Sequence, residues 1–173
     1  MSSMSSLRLI LTRHAKSDWG DPAAPDHARP LNARGRRAAG LMADWLVSRG
    51  DLPGEVLCSD AQRTRETWDR MAPKFAERPP ELVLKPALYH APADVMLAVL
   101  RGAKSPVVMM IGHNPGIAEF ATRLVARVPQ DSDFSRYPTG ATLVADFEAA
   151  NWAEVTPGSG AVIDFMIPRR LEG

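Results

Sequence analysis

Arg13 and His14 lie side by side where the apolar run Leu7-Arg8-Leu9-Ile10-Leu11-Thr12 stops. An arginine presents a rigid fork of N–H donors to an oxyanion, and a histidine beside it offers a nitrogen nucleophile or a proton carrier. The pair is the minimum equipment for handling a phosphoryl group. Two more residues of the same kinds, Arg63 and His113, follow further apolar runs, Glu55-Val56-Leu57-Cys58 and residues 106–112. If the four side chains meet in one pocket, they suit a phosphate. The transition state of phosphoryl transfer spreads negative charge over the equatorial oxygens, so positioned cations do most of the work.

The elements needed to position these residues are strands that end together. Residues 7–12 and 106–112 are rich in branched apolar residues and read as buried strands; residues 55–58 and 82–85 read as shorter ones. Arg13, His14, Arg63 and His113 then fall at or just after strand carboxyl ends, where open α/β sheets bind their ligands. A helix is expected from an Asn32 cap to about Ser48, with Gly50 as its stop. Ser59-Asp60-Ala61-Gln62 has the capping-box pattern, which puts Arg63 in a first turn. A short helix over 93–101 closes at Gly102. Another is expected to begin with Asn114 as N-cap and Pro115 as first residue, its apolar stripe running from Ile117 to Val128. Thr139 to Phe147 and Ala161 to Ile167 read as closing strands. Strands alternating with helices imply a three-layer α/β/α sandwich with a mostly parallel central sheet, in a single domain over residues 1–173.

Composition narrows the partners. Lysine plus arginine number 21 against 20 acidic residues, so the net charge of +1 gives no general attraction to nucleic acid or anionic membranes. The single cysteine, Cys58, excludes an intrachain disulfide. The start Met-Ser-Ser-Met-Ser-Ser lacks a secretory pattern, and no apolar run approaches the ~18 residues of a membrane span, so a cytoplasmic enzyme or binding module is expected. No heptad pattern speaks for an oligomeric state. A zinc site from His14, His113 and Cys58 lacks the short ligand spacings of structural zinc, and Cys58 reads as a small buried strand residue. The basic run Arg34, Arg36 and Arg37 reads as a solvated face or a surface for an acidic partner protein. Trp19, in the Pro- and Asp-rich loop over residues 18–31, is the tryptophan placed to line a pocket.

Three segments in order, Leu11-Thr12-Arg13-His14-Ala15, Cys58-Ser59-Asp60-Ala61-Gln62-Arg63-Thr64 and Ile111-Gly112-His113-Asn114-Pro115-Gly116, resemble the motifs of the histidine phosphatase superfamily, also called phosphoglycerate-mutase-like. Small size and the His-Asn-Pro-Gly turn make the chain most similar to the SixA-type phosphohistidine phosphatase branch. The resemblance implies that His14 is the nucleophile and becomes a transient phosphohistidine. It implies that Arg13, Arg63 and a protonated His113 hold the phosphoryl oxygens, that the Ser17 hydroxyl touches phosphate, and that no metal or other cofactor is required.

Two departures bear on the substrate. The mutase-type carboxylate acid is replaced at its position by His90, and the phytase-type aspartate after the second histidine is replaced by Asn114. His90 or Asp18 would have to supply the proton. A phosphoramidate such as phosphohistidine leaves with less help once its nitrogen is protonated, which favours a phosphorylated protein as substrate and speaks against a mutase. The alternatives are a phosphatase of a small sugar phosphate or nucleotide, and a non-catalytic module that docks phosphoproteins.

Overall fold

A computed structural model describes residues 6–172. Its centre is a six-stranded sheet in the order β3-β2-β4-β1-β5-β6, made of β1 (Ser6–Arg13), β2 (Glu55–Cys58), β3 (Leu82–Leu84), β4 (Val107–Gly112), β5 (Thr142–Glu148) and β6 (Ala161–Met166). β1 to β4 run parallel, and β5 and β6 form an antiparallel extension beside β1. The chain is therefore α/β with a mostly parallel sheet, as expected.

Strand alternation sends successive side chains to opposite faces, and each face is covered. Ile10, Val56, Met109 and Ile111 pack against α1 (Ala33–Arg49) and α2 (Gln62–Phe75) through Met42, Leu46, Trp68 and Met71. Leu9, Leu11, Val108 and Met110 pack on the other side against α3 (Ala93–Arg101), α4 (Gly116–Leu124) and α5 (Ser132–Arg136) through Met96, Ile117, Phe120 and Phe134. Among the described residues no helix is long and apolar enough to cross a membrane.

The α1 signals behave as read: the Asn32 side chain accepts from the Gly35 amide at 2.8 Å, and Gly50 closes the helix at φ 77°. Other boundaries differ. α2 starts at Gln62 with no side-chain cap, because the Ser59 hydroxyl faces His113 and Gln62 reaches forward to Glu66 instead of back. Asn114 does not cap α4, which begins at Gly116; its amide donates to the carbonyls of Arg136 and Tyr137 at 2.8 and 3.1 Å. α4 stops at Leu124, since Val125 turns extended to bridge to Gly160, and Val128 is exposed beyond it. β5 starts at Thr142, three residues later than expected, and α5 was not anticipated.

Candidate active site

Backbone bonds tie the strand ends together. The His14 amide donates to Gly112 O at 3.1 Å and the Ser59 amide to Ile111 O at 3.1 Å, so the ends of β1, β2 and β4 form one ledge. The Ala15 amide donates to Thr67 Oγ1, which itself donates to Arg63 O, locking the loop after His14 onto the first turns of α2. The buried Tyr137 hydroxyl donates to Leu11 O at 2.5 Å and accepts from the Leu143 amide, while its carbonyl receives Arg13 Nη1 at 3.2 Å and the Asn114 amide. One residue thus fixes the β1–β5 seam and two side chains of the site. Gly116 is required for close approach: a Cβ there would sit 1.7 Å from Ala91 O.

The four predicted side chains meet. Arg13, His14, Arg63 and His113 line one cleft of about 390 Å³, together with Ser17, Trp19, Asp26, His90 and Asn114. The His14 and His113 rings are 5.3 Å apart, and His90 lies 5.2 Å from His113. Trp19, 67% exposed, stands at the rim with the Arg29 guanidinium 4.0 Å over its ring. Cys58 is apart from this group, buried in β2 with its thiol donated to Ser59 O and its pKa pushed up to about 12 by burial.

His14 is 5% exposed, and its Nδ1 sits 2.7 Å from Ala15 O. A carbonyl only accepts, so the proton is on Nδ1 and Nε2 keeps its lone pair. Burial, reinforced by Arg13 and Arg63, lowers its pKa to about 3. The imidazole is neutral across the physiological range. His113 is pushed lower still, to about 2, by burial and then by His14 and Arg63. In the cleft without an anion the neutral ring is favoured, and it shares a 2.8 Å hydrogen bond between Nε2 and Ser59 Oγ; the protonated His113 expected from the sequence belongs to the state with a phosphate dianion beside it. Four buried side-chain polar atoms lack a partner among the described residues, and three belong to cleft residues: Arg13 Nε, His113 Nδ1 and Asn114 Oδ1. Such clustering marks where a polar ligand would be satisfied.

Two residues not singled out by sequence complete the site. Asp26 opens a short 3-10 turn over Asp26–Ala28 and accepts from Tyr89 Oη at 2.5 Å, Arg63 Nη2 at 3.0 Å and, across 3.0 Å, His90 Nε2. Those bonds, Tyr89 first, hold its carboxyl well below the usual carboxylate range. Tyr89 packs its ring 5.5 Å from that of His113. Asp18, the sequence candidate, is corrected: it is exposed, its carboxylate is turned back onto the Gly20 amide at 2.7 Å, and it does not line the cleft. An aspartate two residues before a glycine readily makes such a local turn. Ser17 does line the cleft, buried beside the bridge it makes with Leu31.

Comparison with known proteins places this geometry. Residues 9–88 match the model of the histidine phosphatase superfamily (branch 1). An uncharacterized protein of Mycobacterium tuberculosis is 36% identical over 170 residues, 91% of this chain and 99% of the relative. Two solved structures are similar in fold and sequence. One, from Agrobacterium tumefaciens and provisionally described as the phosphohistidine phosphatase SixA, is 28% identical with a TM-score of 0.77, covering 94% of this chain and 98% of that one. The other, from Nakamurella multipartitia with the same provisional description, is 27% identical with a TM-score of 0.78, covering 94% and 96%.

Proposed function

The chain belongs to the histidine phosphatase superfamily, and on that premise we propose that residues 1–173 form one catalytic domain, a cytoplasmic phosphatase that removes phosphoryl groups from phosphohistidine on a protein. Membership and the two SixA-like neighbours support phosphatase activity; the choice of substrate rests on the leaving-group chemistry of the cleft. The observation that carries the reading is the state of His14: neutral, with Nδ1 committed to Ala15 O and Nε2 free, beside two arginines.

In the proposed reaction His14 Nε2 attacks phosphorus as the bond to the leaving nitrogen breaks, giving a phosphohistidine enzyme. Arg13 Nε and the Arg63 fork donate to the equatorial oxygens, and Asn114 holds the Arg13-bearing edge by its bonds to Arg136 and Tyr137. If the Ser59 hydroxyl donates to His113 Nε2, His113 Nδ1 carries a proton and becomes a donor to phosphate. The Ser17 hydroxyl is a further donor. Water then attacks the phosphoenzyme in line, releasing inorganic phosphate and restoring His14. The scheme calls on no metal.

The leaving group decides the substrate class. Asp26 is held ionised by Tyr89, His90 and Arg63, so it is a poor acid near neutrality. Asp18 does not reach the cleft. Of these three side chains His90, in a left-handed backbone conformation at φ 50° and oriented by Asp26, is the one left to give a proton. A site so equipped suits a leaving group that needs little protonation from the enzyme, such as an already protonated phosphoramidate. Replacing His14 by alanine and assaying an aryl phosphate tests the reading; turnover should disappear, and undiminished turnover would refute it.

A further inference from the structure

The catalytic cleft opens into a groove that its own chemistry does not use. It shares Lys16 and Thr139 with a neighbouring hollow of about 240 Å³, also walled by Arg136 and Arg169. That hollow in turn shares Arg34 and Glu172 with an outer trough of about 550 Å³ between α1 and α2, walled by Arg34, Arg36, Arg37, Arg70 and Lys74. The hollow and the trough together carry eight cationic side chains and three anionic ones, Asp44, Asp133 and Glu172. Because the whole chain nets only +1, the groove concentrates positive charge that the remainder of the molecule balances.

The anionic residues do not neutralise it. Lys74 pairs with Asp44 at 3.2 Å, Arg34 with Glu172 at 3.4 Å and Arg169 with Asp133 at 3.2 Å, and in all three the cation is largely solvated. Arg37 and Arg70 are exposed and have no carboxylate partner among the described residues. Charged walls on a concave surface raise the local concentration of oppositely charged groups and steer them inward.

We propose that this groove is the docking track for an acidic stretch of the phosphorylated protein substrate, leading its phosphoryl group into the cleft at Lys16. The inference rests on the phosphatase reading of the cleft and adds which proteins are preferred. An acidic polypeptide fits better than nucleic acid. Neither the hollow nor the trough has an aromatic side chain on which bases could stack, and both interleave acids with cations in a way that matches a mixed protein surface. Leu41, Ala38, Ile167 and two prolines, Pro138 and Pro168, supply apolar contact between the charges.

The test uses the full chain and two synthetic peptides carrying one phosphohistidine, one flanked by glutamates and the other by glutamines. Wild type should release phosphate from the glutamate peptide with a higher kcat/KM, by roughly tenfold at low salt, and the preference should fade as salt screens it. The double variant Arg37→Glu, Arg70→Glu should lose that preference while turning over an aryl phosphate as wild type does. Neither residue lines the catalytic cleft. Equal turnover of the two peptides by wild type, or an unchanged preference in the variant, would overturn the proposal. So would a single-stranded DNA oligonucleotide that inhibits aryl phosphate hydrolysis more strongly than polyglutamate does. Failure of wild type to hydrolyse even the aryl phosphate would instead refute the phosphatase reading beneath it.

Discussion

Asp26 holds both arms of the Arg63 guanidinium, its main-chain carbonyl receiving Nη1 at 2.7 Å and its carboxylate receiving Nη2 at 3.0 Å. The donor fork that a phosphoryl group would use is already oriented by an anion carried on the loop after β1. Arg63 is 4% exposed, and a guanidinium so buried needs the hydrogen-bonded counter-charge that Asp26 supplies at the base of the cleft.

The carboxylate should therefore compete with phosphate. Asp26→Asn keeps the size and the main-chain contact but removes a like charge from the cleft. Inorganic phosphate, measured as a competitive inhibitor of aryl phosphate hydrolysis, should bind about tenfold more tightly, within the range of one close charge contact. Weaker binding would mean that Asp26 serves Arg63 more as an orienter than it hinders the ligand.

His90 should matter in proportion to how poor the leaving group is. His90→Ala should slow hydrolysis of an alkyl or serine phosphate about 100-fold, the usual scale of a general acid, while a nitrophenyl phosphate is little affected. Parallel losses on both substrates would remove His90 from proton transfer.

Much of this site was legible in the chain because strand ends, unlike loops, are announced by their own residues. The apolar runs before Arg13 and His113 are buried strands, and pairing Arg13 with Gly112 in register brings them together. The S-x-x-Q pattern located the start of α2 to within a turn but misassigned Ser59, whose hydroxyl is needed by His113 instead of by the helix. Asp26 and Tyr89 were hidden for a different reason. Both belong to irregular segments whose path depends on tertiary contacts, and proximity in sequence to His14 favoured Asp18, which the backbone turns away. The only local hint was an acidic residue directly after Pro25, where a short helical turn begins. The short reach of α4 was equally hidden, since the apolar pattern continues to Val128 past the point where Val125 joins Gly160.

Acid should weaken the fold through the two buried histidines. Their folded pKa values, about 3 for His14 and about 2 for His113, lie below the unfolded value of ~6.5, so below that pH the unfolded chain binds protons that the folded chain refuses. Stability is then lost as pH falls from about 6.5 toward 3, at up to about 1.4 kcal/mol per pH unit for each proton taken up. Denaturant melts of wild type and of His14→Gln at pH 7 and pH 5 should show a smaller loss in the variant. An equal loss would locate the acid sensitivity elsewhere.

Gly116→Ala should be severe although it adds a single methyl. The new Cβ meets Ala91 O at 1.7 Å, a backbone atom that cannot swing aside, so α4 and the His113 turn must shift. A stability loss of about 3 kcal/mol or more is expected from such overpacking, with aryl phosphate turnover reduced even where the variant is folded. A variant with unchanged melting temperature and activity would contradict the packing described for this turn.

The central claim is that His14 carries the phosphoryl group. Rapid acid-free quenching of wild type during aryl phosphate turnover, followed by mass analysis of its peptides, should show the gain of one HPO₃ on the peptide bearing His14, labile to acid and stable to base. It should be absent from His14→Ala. Sustained turnover with no such adduct, or an adduct on another residue that survives the substitution, would contradict the account.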